Sequence, residues 1–258
     1  MSEFLKLEKQ GNTAVITFNN PPAHTWTKQS LTDLKHLVLS LNEDRDIYAI
    51  VLTGDGEKFF SAGADLNVFA DGDKAVAREM ADVFGDAFET LSAFRGVSIA
   101  AINGYAMGGG LEVALACDIR IAESHAQMAL PEATVGLLPC AGGTQNLHIL
   151  VGEGWTKRMI LCGERIKADK ALQIGLVEEV VETGEGLAAA LSLASKVAKQ
   201  SPVAVSACKT LIQKHRSMPI SQALPVERDA FVDLFDSEDQ TEGVNAFLQK
   251  RAPVWQNK

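Results

Sequence analysis

Two stretches, "IYAIVLTG" (47–54) and "VSIAAIN" (97–103), are continuous apolar runs with no alternation. A strand without a polar face has no side to turn toward water. Both runs therefore predict strands buried on two faces, the condition of a parallel sheet covered by helices. The segments around them agree. The start predicts a hairpin, "EFLKLEK", a turn at Gly11-Asn12, then "TAVITF". "NNPPAHTWT" reads as a loop, because its prolines neither donate to a ladder nor continue a helix. Leu31, Leu34, Leu37 and Leu41 then fall at amphipathic helix spacing. A loop, "DGEKFFSAGADLNVF", and a helix over about 74–95 lead to the second run, and "DIRIAES" and "QMALPE" read as further short strands. Strand–helix alternation of this kind predicts an α/β core of roughly 150 residues. From about residue 154 no further strand pairs are expected, only helices. One of these, "SPVAVSACKTLIQKH", starts on Pro202, where proline is tolerated.

A chain of 258 residues can bury about three quarters of its unfolded surface, so a large core is available. The net charge of −9 argues against a nucleic-acid partner. Cys117, Cys140, Cys162 and Cys208 lack metal or redox spacing and read as reduced thiols of a cytoplasmic protein. Cys117 and Cys162 sit in apolar helical contexts, as small hydrophobes. "MSEFLKLEKQ" carries no apolar stretch of signal-peptide length, and the uncharged run Gly96 to Leu111 is too short and too broken to span a bilayer. No membrane association is expected.

The stretch "INGYAMGGGLE" places three consecutive glycines at the mouth of a helix. Its spacing does not fit a dinucleotide fingerprint, it lacks the Lys-Ser/Thr of a triphosphate loop, and it has no nucleophile of an elbow motif. Two readings remain. The glycines could serve only close helix–strand packing, or their bare N–H groups at a helix N-terminus could form an oxyanion hole. "FFSAGADL", after the first apolar run, is a second bend of small residues at the carboxyl end of the sheet, where ligands bind in α/β folds. Glu112 and Glu132 both lie in apolar surroundings close to these bends. Partial burial raises a glutamate toward neutrality, so the two form a candidate acid/base pair.

"FFSAGADL", "INGYAMGGGLEVALACDIRIA" and "LPEATVGLLPCAGGTQNL" resemble the crotonase (enoyl-CoA hydratase/isomerase) family, and the likeness runs almost end to end. The resemblance implies a crotonase-like spiral of β-β-α units, the fold shared with ClpP, with a catalytic core at 1–195 and a C-terminal helical trimerisation region at 196–258. It implies an acyl-CoA thioester substrate, a homo-trimer or hexamer, and no metal or redox cofactor. By motif match the oxyanion donors would be the N–H groups of Ala62 and Gly109, with Gly63, Ala64, Asp65 and Leu66 lining the acyl-CoA site. Ala23 and His24 would lie where the pantetheine or phosphates enter, and Phe247 and Lys250 at the adenosine end. Hydratases of the family carry both glutamates. Three departures bear on substrate scope. Cys140 stands where hydratases usually have glycine, Asn146 where arginine is usual, and "PPAHTWT" differs from the common first loop.

The expected reaction is reversible syn addition of water to a trans-2-enoyl-CoA, giving a 3-hydroxyacyl-CoA, as in fatty-acid β-oxidation. The N–H groups meet the thioester oxygen, Glu132 moves the proton at C2, and Glu112 orients water. Isomerisation of a 3-enoyl-CoA on the same scaffold is the alternative, and a non-catalytic acyl-CoA or RNA-binding member is the third. The histidines at 24, 36, 125, 148 and 215 lack metal-ligand spacing. Asp65 and Asp118 read as structural. Lys250 and Arg251 are either solvated charges or phosphate contacts.

Overall fold

The structure, a computed structural model, describes residues 2–214 and 216–258, so His215 lies outside the described residues. Gly11, at φ +56°, turns β1 (Leu5–Gln10) back antiparallel onto β2 (Thr13–Phe18). Helix α1 (Lys28–Glu43) is opened by a capping box. The Thr27 hydroxyl accepts from Ser30 N–H at 3.1 Å, and Thr27 N–H donates to Ser30 Oγ at 2.9 Å. Then follow β3 (Ala49–Gly54), β4 (Phe59–Ser61) and α2 (Lys74–Ser92), β5 (Val97–Ile102), β6 (Tyr105–Met107) and α3 (Gly109–Ala116), β7 (Ile119–Glu123), β8 (Gln127–Ala129) and α4 (Gly143–Leu161). Three successive strand–strand–helix turns each give their first strand to one sheet and their second to another. That is the β-β-α spiral.

The larger sheet has the order β1-β2-β3-β5-β7-β10, parallel from β2 onward. The smaller has the order β4-β6-β8-β9, with β9 antiparallel. Strands β9 (Ile166–Lys167) and β10 (Glu179–Val181) correct the expectation that no strand follows residue 154. They frame α5 (Ala168–Gln173) and precede α6 (Gly186–Val197).

All six residues of β3 are buried, as a strand covered on both faces requires. Ile50 and Leu52 pack with α1 and α2 residues such as Leu34 and Phe88, while Ala49 and Val51 pack on the other side with Ala190 and Ala194 of α6. Helices α7 (Pro202–Lys214), α8 (Ile220–Asp233) and α9 (Glu238–Leu248) complete the chain. Lys209 of α7 anchors them to the core. Its ammonium reaches Asp118 Oδ2 at 2.8 Å and the carbonyls of Phe94 and Gly96 at 2.7 and 3.0 Å, and Asp118 also receives Ser98 N–H at 2.7 Å. Asp118 is thus structural. Arg251 forms a two-pronged pair with Glu242, at 2.6 and 2.8 Å.

Cys117 is buried, but Cys162 is exposed at the end of α4, so the small-hydrophobe reading does not hold for Cys162. No helix among the described residues is long and apolar enough to cross a membrane.

Candidate active site

The bend after β4 and the bend before α3 touch. A Cβ on Gly63 would fall 2.6 Å from Met107 O and 3.1 Å from Gly109 N, and one on Gly110 would fall 2.1 Å from Ser61 O. Real Cβ atoms do not approach that closely, so packing requires glycine here. Packing is not the whole account, because the same contact leaves backbone N–H groups facing a cavity of about 570 Å³.

Ala62, Gly63, Ala64, Leu66, Gly109, Glu112, Glu132 and Cys140 line this one cavity. Gly109 is the first residue of α3, where no earlier carbonyl of the helix is in position to accept its N–H. The other expected donor requires correction. Ala62 N–H already donates to Ala23 O at 2.9 Å, Gly63 N–H to Ser61 Oγ at 3.2 Å, and Asp65 N–H to Trp26 O at 3.1 Å. Ala64 pairs with Trp26 through a single parallel bridge whose hydrogen bonds come from its neighbours: Trp26 N–H donates to Gly63 O at 2.7 Å and Asp65 N–H to Trp26 O. Among the described residues Ala64 N–H has no acceptor, so the free amide of this bend is Ala64's and not Ala62's.

The two carboxylates are held in contrasting ways. Glu112, in the first turn of α3, is 2% exposed, and its Oε1 accepts Ala141 N–H at 2.8 Å and Gly143 N–H at 2.9 Å. Burial pushes its pKa up, and the Gly143 and Ala141 N–H groups pull it back. Glu132 opens a short 3-10 turn, and neither of its carboxylate oxygens, both shielded from solvent, has a hydrogen-bond partner among the described residues. Burial, with a smaller contribution from the Glu112 charge, moves its pKa up to about 7. Gly108, at φ +54°, keeps the space beside it, since a Cβ there would fall 3.2 Å from Glu132 Oε1. Cys140 is exposed at the cavity wall, and partial desolvation of its thiol together with both glutamates pushes it up to about 11, so it stays protonated beside them.

Other expected residues lie elsewhere. His24 is buried, its Nδ1 accepting Asn20 N–H at 3.1 Å and its Nε2 lying 2.8 Å from Asp55 O. The carbonyl requires the proton on Nε2, so both ring nitrogens are committed to the backbone and none is left for a phosphate. Ala23 contributes its carbonyl to Ala62 and does not line the cavity. Asp65 caps the turn after it, accepting Asn67 N–H at 3.1 Å, and it too stands off the cavity wall. Phe247, 83% exposed, and Lys250 lie at and just beyond the end of α9 and are not brought to this cavity by the chain's own fold. Conversely, the Ala141 and Gly143 amides that hold Glu112, and Phe84, which packs against Gly109, were not anticipated. The adjacent glycines of "CAGGTQ" were the available signal for the first pair; Phe84 had none.

A family model described as enoyl-CoA hydratase/isomerase matches residues 8–258. The chain is 40% identical to a short-chain-enoyl-CoA hydratase of Clostridium acetobutylicum, over 95% of this chain and 94% of that one. It is also 40% identical to a 2,3-dehydroadipyl-CoA hydratase of Escherichia coli, over the whole of both. The solved structure of Pseudomonas aeruginosa DspI superposes with a TM-score of 0.97 at 67% identity, covering 99% of this chain and 97% of that one. With the spiral fold and a match along nearly its full length, the chain belongs to the enoyl-CoA hydratase/isomerase family.

Proposed function

We propose that this enzyme hydrates trans-2-enoyl-CoA thioesters reversibly to 3-hydroxyacyl-CoA. As water attacks C3, electron density moves onto the thioester oxygen. The N–H groups of Ala64 and Gly109 receive that charge, backed by the positive end of α3. Glu112, oriented by two amides, directs the water and takes the proton it loses as its oxygen bonds to C3. Glu132, near neutrality, gives its proton to C2. The observation that carries this reading is the asymmetry of the pair, one carboxylate pinned by amides and one unpartnered and proton-retaining in the same cavity.

Two acids and a water close the proton inventory, so the reaction is written without metal or redox cofactor. The acyl-CoA partner follows from the family. A homo-trimer or hexamer is supported by the apolar face that α7 to α9 leave uncovered, and a cytoplasmic role in β-oxidation fits the chemistry. The test is the loss of the crotonyl-CoA double-bond absorbance. Turnover of crotonyl-CoA exceeding that of a 3-enoyl-CoA supports hydration, whereas isomerisation of the 3-enoyl-CoA without hydration of crotonyl-CoA overturns it.

A further inference from the structure

We infer that the acyl group accepted by this cavity is neutral and aliphatic, and that a carboxylate at its far end is rejected. This deepens the hydratase reading and depends on it for the CoA thioester. The apolar part of the cavity wall includes Leu66, Phe69, Ala77, Ala81, Leu137 and Leu138. Ala77 and Ala81 stand one turn apart on the same face of α2, and their single methyl groups leave open a space that larger side chains would fill. The charges of α2 turn elsewhere: Arg78 pairs with Asp82 at 3.3 Å, both side chains in solvent.

Glu112, Glu132 and Cys140 are the titratable groups among the described residues lining this cavity, and no cation lines it. A terminal carboxylate entering here would shed water without finding a cationic partner. A neutral chain instead covers apolar surface left open at the rim, where Leu138 is 69% exposed. The relative named for dehydroadipyl-CoA shares 40% identity with this chain, so overall similarity does not carry an acyl preference. The wall chemistry does.

Calorimetric binding of hexanoyl-CoA and adipyl-CoA decides the question. The two are saturated, unreactive and equal in carbon count, and they differ in the terminal carboxylate. Hexanoyl-CoA is expected to bind at least about tenfold more tightly; a smaller ratio overturns the inference. Ala81→Lys, or Leu138→Lys if the first does not fold, is expected to shrink that ratio by improving adipyl-CoA binding. An unchanged ratio in the folded variant would place the chain elsewhere and also overturn it. Crotonyl-CoA hydration by the unaltered enzyme is scored separately. Its absence beside an intact binding preference defeats the hydratase reading and leaves the acyl wall standing.

Discussion

Glu112 and Glu132 are the same residue type in one cavity, and their roles diverge because two amides point at one and none at the other. Glu132→Gln is expected to lower kcat by about 10²–10⁴ with KM little changed, the range for losing a proton-transfer group, measured with crotonyl-CoA. Because the donor form of Glu132 is lost above its pKa of about 7, hydration kcat/KM is expected to fall as pH rises through that value. The same shift has a stability sign. The folded protein holds this proton more tightly than the unfolded chain, so stability falls as pH rises from about 4.5 to about 7 and stays lowered above. Glu132→Gln removes the cost of ionisation. Its Tm relative to the parent is therefore expected to be higher at about pH 8 than at about pH 5, and an equal difference at both would contradict the assignment. Both carboxylates were legible from their apolar neighbours. Which N–H of the first bend is free was not. Adjacent residues of one bend aim their N–H groups in different directions, and only the Ala62 bond to Ala23 reveals which one is occupied.

Among the elements, the long ones were legible in the sequence, and of the short strands β8, within "QMALPE", was too. β3 and β5 announce themselves by six-residue apolar runs. β4, β6 and β10 have three residues each and β9 two, too few to display a period, and their strand state is set by pairing partners distant in sequence. Apart from β8, the strands of the second sheet went unread for this reason, although that sheet aims both bends. Gly108→Ala places a methyl against Glu132 at a left-handed backbone position. It is expected to cost at least about tenfold in kcat while far-UV circular dichroism stays unchanged; full activity would show that the carboxylate does not depend on that space. Thr27→Ala, outside the cavity lining, breaks the capping box of α1 and is expected to cost about 1 kcal/mol in urea unfolding, with activity retained.

For the whole molecule, the helices after the spiral leave an unusual amount of apolar surface. Ile212, Ile220, Phe231 and Phe247 are 70%, 60%, 63% and 83% exposed. A trimer or hexamer is expected by sedimentation, and Phe231→Glu is expected to shift it toward smaller species; a monomeric parent protein would contradict this. Helix spacing showed that these segments form helices, but the face a helix leaves uncovered depends on how it docks, which a linear pattern does not record.

The central claim is that two amides from separate bends meet one thioester oxygen opposite two unlike acids. A crystal structure with a bound, unreactive acyl-CoA tests it directly. The account predicts the thioester oxygen about 2.7–3.1 Å from the amides of both Ala64 and Gly109, with C2 and C3 against Glu132 and Glu112. A thioester oxygen bonded to neither amide, or an acyl chain lying outside the space between the two carboxylates, would contradict it.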